Sequence, residues 1–389
     1  MPHHFVLTMK RLSLLRQAKK SIYRAAHWET WHWIIKYIPM VPFWLMHCMR
    51  ARSPWFFTAA NPTLTFGGYE GESKMEMYSL LPADTFPKSI LITPENSQLE
   101  VELLFKATDL SFPVAVKPDV GRMGLMFRKI NSIEELQTYH HHIKADYVLQ
   151  EFIDLPVEVS VFYYRFPTEE KGTITGFVKK EHLAVTGDGT STLDELLLNY
   201  SRIQFRLDEM RIKHARMLHR ILPCGQQYVL SDALNLSRGG QLISLEREKD
   251  ERLLRIFDAL SHGGKFYFGR YDIKCNSIHD LKNGKHFSIL EFNGSGAEPH
   301  HVYGNGNSFF EAMRILLFHW EILYRISVEN HKKDIAYWSF EQGLRHLQKS
   351  GKHIQRLKKL ELSTTIVNTK AGVRQVHDKD LVLREYELT

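Results

Sequence analysis

The sequence predicts an α+β fold, because helical and strand patterns mix along the chain without a regular βαβ repeat. Several runs of continuous or alternating apolar residues are typical of strands. Two helices begin with a capping-box pattern, a serine or threonine three residues before a glutamate. The 389 residues are 43% hydrophobic and 24% charged, which excludes a disordered or low-complexity chain. This length corresponds to about two or three domains.

Start signals and apolar periodicity place the elements in order. The predicted helices are 71–81, 97–108, those that begin at Ser132 and Thr192, 308–326 and 337–350. The predicted strands are 87–92, 112–118, 147–153, 157–166, 174–185, 265–275 and 286–293. The last two strands are joined by a loop that contains Asn283-Gly284, a strong turn signal.

The cysteines and one histidine run predict no zinc site. Cys48, Cys224 and Cys275 are odd in number and far apart, so they form neither a disulfide framework nor a CxxC motif. A reducing compartment fits this usage best. Residues 140–142 are three successive histidines on a helix, where they point in different directions, and we expect them at the surface.

The positive charge of the chain is concentrated at its N-terminus. The whole chain carries a formal +7. Residues 1–52 contain nine basic side chains and one acidic side chain, a net +8, so the rest is close to neutral. A near-neutral body offers no basic groove, and nucleic acid is therefore not an expected partner.

The same segment predicts a helical, tryptophan-rich extension over residues 1–66. Residues 10–26 form an amphipathic helix, and the apolar run 31–49 approaches the length of a membrane span but is interrupted by Lys36, Pro39 and Pro42. We therefore expect an interfacial or re-entrant hairpin on an anionic membrane surface, with both ends cytoplasmic. Charge within the apolar run argues against a signal peptide. The alternative is that the aromatic side chains pack on the chain's own body.

Two segments contain residue types that nucleotide binding requires. In VKPDVGRMG, Lys117 ends an apolar strand, and Gly121 and Gly124 follow in a turn whose backbone amides can approach phosphate oxygens. In LQEFIDLPVEVSV, Glu151 ends one strand and Glu158 begins the next, a spacing that could bind a base and a ribose. The alternative for the first segment is that Lys117 is only solvated. The alternative for the second is that both glutamates are surface carboxylates.

A third segment pair predicts a magnesium site. Arg270 and Asp272 are two residues apart on one strand and share a face, as do Glu291 and Asn293 on the next. Their neighbours are mostly apolar, and buried acids are rare unless they are paired or bind metal. Two carboxylates and an amide oxygen suit Mg²⁺. The alternative is an ion-pair network of Arg270 with Asp272 and Glu291.

In this order the segments resemble the ATP-grasp superfamily of carboxylate–amine ligases, especially the D-alanine–D-alanine ligases. Residues 187–196 (GDGTSTLDEL) and 235–240 (NLSRGG) are also similar to cyanophycin synthetases and ribosomal-protein glutamate ligases. The resemblance covers residues 68–326 and implies an ATP-grasp fold, in which two α+β subdomains clasp ATP. We therefore expect an N-terminal extension (1–66), an ATP-grasp domain (67–330) and a C-terminal helix and tail (331–389).

The resemblance implies a role for each candidate residue. It places Lys74 and Lys117 on the nucleotide phosphates and Arg270 where the reacting acyl phosphate is steadied. The magnesium-ligand positions, for two ions, are Asp272, Glu291 and Asn293. The other positions around ATP are Gly121 and Gly124 in the loop over the phosphates, Glu151, Phe152 and Ile153 at the adenine edge, Glu158 at the ribose, and Asn235 and Arg238 near the phosphates.

The implied function is a ligase that uses ATP and Mg²⁺ to form an amide or peptide bond through an acyl phosphate. Its partners are a small-molecule or lipid-linked carboxylate and an amine, both unidentified, at the inner face of a membrane. No covalent nucleophile is needed, in agreement with the absence of a GxSxG signature. The alternative is a catalytically silent ATP-binding protein that regulates or scaffolds envelope biosynthesis.

Two departures from the D-alanine–D-alanine ligases concern the substrate. Those ligases carry an N-terminal α/β domain that helps to hold the first substrate, whereas residues 1–66 here are basic and rich in tryptophan. We therefore do not expect D-alanyl-D-alanine as the product. After Asn293 the chain has GSGAEPHHVYG, in which Glu298, His300 and His301 are candidates to shape an amine or polar substrate pocket. The alternative is that they decorate a loop.

Overall fold

The computed structural model of the chain describes residues 27–200, 203, 206–231 and 240–370. Its strands are β1 (Ser89–Ile92), β2 (Val114–Pro118), β3 (Arg128–Ile130), β4 (Tyr147–Glu151), β5 (Val157–Tyr164), β6 (Thr173–Glu181), β7 (Leu183–Thr186), β8 (Gln227–Ser231), β9 (Gln241–Ser244), β10 (Phe268–Cys275) and β11 (Phe287–Asn293). Its α-helices are α1 (Trp33–Tyr37), α2 (Val41–Ala51), α3 (Lys74–Ser79), α4 (Gln98–Ala107), α5 (Ile133–His142), α6 (Leu193–Asn199), α7 (Leu207–Lys213), α8 (Glu251–Gly264), α9 (Ile278–Lys282), α10 (His301–Gly304), α11 (Phe309–His331) and α12 (Phe340–Lys370). The predicted amphipathic helix 10–26 lies outside the described residues.

The strands form antiparallel sheets, and the predicted α+β class is confirmed. One sheet has the order β1-β4-β2-β3, a second has the order β11-β10-β5-β6-β9, and β7 pairs with β8. The pairings between these strands are antiparallel. The predicted single strand 174–185 is wrong in one respect, because it divides at His182 into β6 and β7, which belong to different sheets.

Alternation along the central strands of the second sheet separates an apolar face from a polar face. The apolar face packs against Leu253 and Phe257 of α8. Its strand residues include Val159, Val161, Tyr163, Tyr271 and Ile273. The residues between them point to the opposite face, which therefore carries Ser160, Arg270 and Asp272.

The first sheet is covered by helices that differ from the prediction in two places. The C-terminal helix α12 extends past residue 350, because Ile354 and Leu357 are buried in the core of this sheet and Glu361 pairs with Arg128 at 3.0 Å. The surface prediction is wrong for His140. Its ring is buried, with Nε2 2.7 Å from the Asn96 carbonyl oxygen and Nδ1 3.2 Å from the Tyr147 hydroxyl.

The predicted helix starts at Ser132 and Thr192 are both observed. The Thr192 side chain accepts a hydrogen bond from the Glu195 N–H, and the Glu195 carboxylate accepts one from the Thr192 N–H, a complete capping box. At Ser132 only the first of these bonds forms, because the Glu135 carboxylate instead accepts the Asn131 N–H at 2.8 Å. Helix starts can thus be located from sequence even where the cap differs in detail.

The N-terminal segment packs on the body through one face. The Trp44 ring meets Trp320 edge-on at 5.0 Å, the His47 ring stacks on Tyr324 at 4.8 Å, and Trp28 is buried. The other face leaves large apolar side chains exposed. Those of α1, α2 and the turn between them include Ile35, Ile38, Val41, Phe43, Leu45 and Met49. Within the part of the chain that the structure describes, no helix is long and apolar enough to cross a membrane.

Candidate functional site

The four residues of the predicted magnesium site meet on the polar face of the second sheet. In the β10–β11 register, Arg270 lies opposite Asn293 and Asp272 lies opposite Glu291. Opposed residues of an antiparallel pair have Cβ atoms about 4.5–5.5 Å apart, so these four side chains are neighbours. Arg270 and Asp272 are buried, as the apolar flanks predict.

Asp272 is at the centre of an ion-pair network. Its carboxylate accepts hydrogen bonds from Arg270 Nη2 at 3.1 Å and from the Ser160 hydroxyl, and Lys180 Nζ lies 3.2 Å away. The Asn293 amide nitrogen is 3.4 Å from the same carboxylate. Burial alone would raise the pKa of Asp272, but the adjacent Arg270 and Lys180 cations hold that pKa well below its usual range. The ion-pair interpretation of this segment is therefore observed for Arg270 and Asp272.

Lys180 was not identified by sequence reasoning. Its ammonium group is buried between the carboxylates of Asp272 and Glu158, 3.0 Å from the latter. Burial would lower the pKa of Lys180, but these two acids raise it. Lys180 lies on β6, two strands away from Asp272, and no motif links the two positions.

The segment after β11 is tied to this network. Arg270 Nη1 donates to the Glu298 carbonyl oxygen at 2.8 Å, and the His300 ring lies 3.1 Å from the Ser160 hydroxyl. Burial, with Arg270 nearby, lowers the pKa of His300 well below its usual range, so the imidazole is neutral. His301 is buried against Gly176 and His319, and burial lowers its pKa to about 3.

The Glu298 carboxylate is held by tyrosines from two parts of the chain. It accepts hydrogen bonds from Tyr37 of α1, at 2.8 Å, and from Tyr303 of α10. Lys36 Nζ lies 5.6 Å from the centroid of the Tyr303 ring. The N-terminal segment therefore contributes directly to the surroundings of Arg270, a contact that a pattern within residues 28–51 could not reveal.

Lys117 connects the first sheet with the second. From β2 its ammonium group donates to the Tyr78 hydroxyl at 3.1 Å and to the Leu290 carbonyl oxygen of β11 at 3.3 Å. Burial lowers the pKa of Lys117 to about 8, although Glu291 and Asp119 oppose this shift. Tyr78, a further residue missed from sequence, lies four residues after Lys74 and so on the same side of α3, which is the only signal for it.

Hydrogen bonds from Lys74 connect the start of α3 to the glycine-bearing turn. Its ammonium group donates to the Gly121 carbonyl oxygen at 3.0 Å and lies 3.3 Å from that of Asp119. The Asp119 carboxylate in turn accepts the Met75 N–H at 3.0 Å. In the same turn Gly124 has φ +69°, a left-handed conformation that glycine adopts readily. The predicted phosphate lysines and glycines thus lie on adjoining elements.

A cavity lies between these elements and β11. Its lining includes Glu72, Lys74, Gly121 and Glu291. The Glu72 oxygen Oε2 is buried and has no hydrogen-bond partner. Burial raises the pKa of Glu72 to about 7, with the nearby Glu291 carboxylate acting in the same direction. Glu72 was not predicted, because residues 71–74 gave only a helix start and, through the family resemblance, the phosphate position of Lys74.

Three of the four residues predicted around the base and ribose contact other parts of the protein. Glu151 is exposed at the end of β4, and the Phe152 ring carries the Lys129 ammonium group 4.2 Å from its centroid. The Ile153 carbonyl oxygen accepts a hydrogen bond from Lys274 at 3.1 Å. Glu158 forms the ion pair with Lys180 described above. Asn235 and Arg238 lie outside the described residues.

The donor set predicted for Mg²⁺ has the chemistry of a hard-cation site. Asp272, Glu291 and Asn293 offer two carboxylates and an amide on one face. Glu291 lines the cavity together with Lys74, and its charge favours the protonated form of Lys117. Within the described ranges no group of three or more His, Cys, Asp or Glu side chains is placed to hold a metal ion. The predicted donor set contains only two such residues, Asp272 and Glu291.

No protein-family model matches the chain, and no curated protein sequence matches it. Among solved structures it is similar to a bifunctional glutathione synthetase from Pasteurella multocida, at 15% identity and a TM-score of 0.43, over 66% of this chain and 38% of that one. It is similar to a D-alanine–D-alanine ligase from Bacillus anthracis, at 14% identity and a TM-score of 0.39, over 67% of this chain and 68% of that one. It is also similar to the VanG D-Ala:D-Ser ligase from Enterococcus faecalis, at 12% identity and a TM-score of 0.34, over 62% of this chain and 57% of that one.

Proposed function

We propose that the chain is an ATP-dependent carboxylate–amine ligase of the ATP-grasp type. The observation that carries the proposal is that basic side chains from the first sheet and α3 lie next to acidic side chains of the second sheet. Lys117 reaches from the first sheet to the backbone of β11 beside Glu291, and Lys74 and Glu291 line one cavity. On the same face Arg270 and Asp272 continue this site. In this proposal residues 67–330 form the catalytic domain, between an extension (1–66) and a C-terminal helix and tail (331–389).

The proposed reaction has two steps that need no enzyme nucleophile. The γ-phosphoryl group of ATP passes to a substrate carboxylate, which gives an acyl phosphate and ADP. The amine then attacks the carbonyl carbon, the bond from that carbon to the phosphate oxygen breaks, and the amine loses a proton. Lys74 and Lys117 would hold the phosphates, and Arg270 would stabilise the oxyanion as the amine adds.

Mg²⁺ held by Asp272, Glu291 and Asn293 would supply charge neutralisation at the phosphate oxygens. The protein would position the amine through Glu298. Its carboxylate is oriented by Tyr37 and Tyr303, while its backbone is held by Arg270. A carboxylate so placed would attract an amine that arrives as an ammonium ion, since opposite charges attract in a partly buried site. The ammonium ion would have to lose one proton before its nitrogen could attack, and it would lose a second as the amide forms.

A screen for ADP release tests the ligase proposal. Purified protein is incubated with ATP, Mg²⁺ and pairs of carboxylates and amines, and products are analysed by mass spectrometry. We expect ADP release that requires both partners, together with a product whose mass is their sum less one water. Arg270→Lys, which keeps the charge but loses the two-pronged contact with Asp272, should lower the rate by about 10²-fold, the cost of a lost oxyanion donor.

One observation favours the alternative of an ATP-binding protein without turnover. Asp272 is neutralised by Arg270 and Lys180, which compete with a metal ion for its oxygens. Binding of ATP without ADP release over the whole panel would support that alternative. Failure to bind ATP in the presence of Mg²⁺ would contradict both functions.

The N-terminal segment supports a second part of the proposal, attachment to an anionic membrane surface. The exposed apolar row on α1 and α2 is flanked by the exposed cations Arg50 and Arg52. Met49 is 71% exposed and Leu45 is 54% exposed, one turn apart on α2. An apolar face next to basic residues binds anionic lipid by burial and charge attraction together.

We expect Leu45→Ser/Met49→Ser to weaken binding to phosphatidylglycerol vesicles by about tenfold or more, because each buried side chain contributes about 1.5–3 kcal/mol. Vesicle co-sedimentation measures this. The matched control is Leu99→Ser/Leu103→Ser, an equally spaced and similarly exposed pair on α4. Equal binding by both double variants would contradict membrane attachment through α2. Deletion of residues 1–57 is a poorer test, since it removes Phe56 and Phe57 from the core.

A further inference from the structure

Glu72 carries a buried carboxylate oxygen with no partner in the protein. The residue precedes α3 and lines the cavity that Lys74, Gly121 and Glu291 also line. Its Oε2 is enclosed and accepts no hydrogen bond. This oxygen is costly to bury, because burial removes its hydration and no hydrogen bond replaces it.

The cations around the cavity are engaged by other groups. Lys74 donates to the carbonyl oxygens of Gly121 and Asp119, and Lys117 donates to Tyr78 and Leu290. Arg122, in the same turn, forms its ion pair with Glu70 and not with Glu72: its Nη1 lies 3.5 Å from Glu70 Oε1. None of these side chains forms an ion pair with Glu72, although the charge of Lys74 favours the ionised form of Glu72.

Glu291 adds a second carboxylate to the same cavity. The two acids repel each other electrostatically, and Glu291 also interacts by charge with Lys117, whose protonated form it favours. Two carboxylates that line one small cavity match the oxygen donors of a hard divalent cation, and the Lys74 ammonium group beside them is already occupied by backbone carbonyl oxygens. Asp272 is less suited to this task because Arg270, Lys180 and Ser160 already surround it.

We propose that Glu72 and Glu291 together bind a divalent cation of the Mg²⁺ or Mn²⁺ type in this cavity, so that Glu72 is a metal ligand supplied from outside the sheet. The proposal rests on the proposed function for the role of Glu291. Water and nucleotide phosphate oxygens would take the remaining positions, as is usual for Mg²⁺. Because Glu72 is next to α3 and Glu291 is on β11, the ion would join Lys74 and the glycine-bearing turn to the second sheet.

Binding of Mn²⁺, measured by the loss of the free-ion EPR signal, tests the proposal without reliance on turnover. Titrations are made with Mn²⁺ alone and with Mn²⁺ plus the non-hydrolysable ATP analogue AMP-PNP. We expect Glu72→Gln to weaken Mn²⁺ binding by about 10–100-fold. The matched control is Glu70→Gln, two residues away, whose carboxylate is already engaged by Ser350 and Arg122. It should bind Mn²⁺ like the wild type.

A thermal melt keeps the test decisive if Glu72→Gln alters the fold. The metal-free variant should melt no lower than the wild type, because a buried, unpaired charge has been removed, and it should lose the Mn²⁺-induced rise in Tm. Glu72→Asp retains the charge and should keep part of the binding. Wild-type Mn²⁺ affinity in folded Glu72→Gln would overturn the inference while the ligase proposal stood. Failure of the wild type to bind AMP-PNP would instead contradict the ligase proposal.

Discussion

Lys117→Met is expected to weaken nucleotide binding strongly without loss of the fold. The substitution removes a buried ammonium group and leaves a flexible apolar side chain of similar length. Tyr78 keeps its hydrogen bond to the Leu290 carbonyl oxygen at 2.7 Å, so no buried partner is left unsatisfied. Loss of charge-assisted hydrogen bonds to phosphate, worth about 1.5–3 kcal/mol each, should weaken ATP binding by about 10²-fold or more.

Calorimetric titration with Mg²⁺ and AMP-PNP checks the affinity. Lys106→Met, an exposed lysine on α4, is the control and should bind like the wild type. Wild-type affinity in Lys117→Met would remove Lys117 from the site.

The pH dependence of stability gives the same variant a second readout. Because the folded-state pKa of Lys117 is about 8, below that of an unfolded lysine, the unfolded chain binds more protons between these two values. The free energy of unfolding should therefore gain a contribution that rises with pH from about 8 to about 10.4. Lys117→Met should lack this rise. An identical pH profile for the two proteins would show that Lys117 is not buried as described.

Asp272→Asn is expected to have the largest effect on stability. It leaves Arg270 and Lys180 in a buried site without the carboxylate that neutralises both. Breaking a buried charge pair by removing one partner typically costs about 3–5 kcal/mol. Urea denaturation should show a loss of this size. The control is Asp109→Asn, whose exposed pair with Lys88 should contribute less than about 1 kcal/mol.

A double variant separates the structural role of Asp272 from its proposed role in catalysis. Asp272→Asn/Lys180→Met removes one of the two cations that lose Asp272 as a partner, the one that keeps only Glu158, and should recover part of the lost stability, because neighbouring residues couple energetically. Ligase turnover should not recover, since Asp272 is a proposed metal ligand. Recovery of turnover together with stability would mean that Asp272 acts only through the fold.

Much of the site could be predicted from local pattern. Two-residue spacing placed Arg270 with Asp272 and Glu291 with Asn293, and the capping patterns at Ser132 and Thr192 located two helix starts. The relation of Lys180 to Asp272 could not be predicted in the same way. The two residues come from β6 and β10, which lie on either side of β5, and pairing between distant strands leaves no local signal.

The N-terminal segment is likewise only partly predictable from its sequence. Its basic charge and its tryptophans are evident in the sequence, but both predictions for it, packing on the body and exposure to a membrane, fit the same residues. The tertiary structure places Trp44 and His47 against α11 and leaves Leu45 and Met49 exposed. It also brings Tyr37 to Glu298, 261 residues away along the chain.

By itself, the sequence determined the α+β class, the faces that strand residues share and the concentration of charge in residues 1–52. These properties follow from backbone periodicity and composition, which act over a few residues. Only the tertiary structure decided that Lys180 neutralises Asp272, that Lys117 joins the two sheets and that Glu72 and Glu291 line one cavity. Each of these contacts depends on how separate elements pack, and burial then sets the charge that each group can bear.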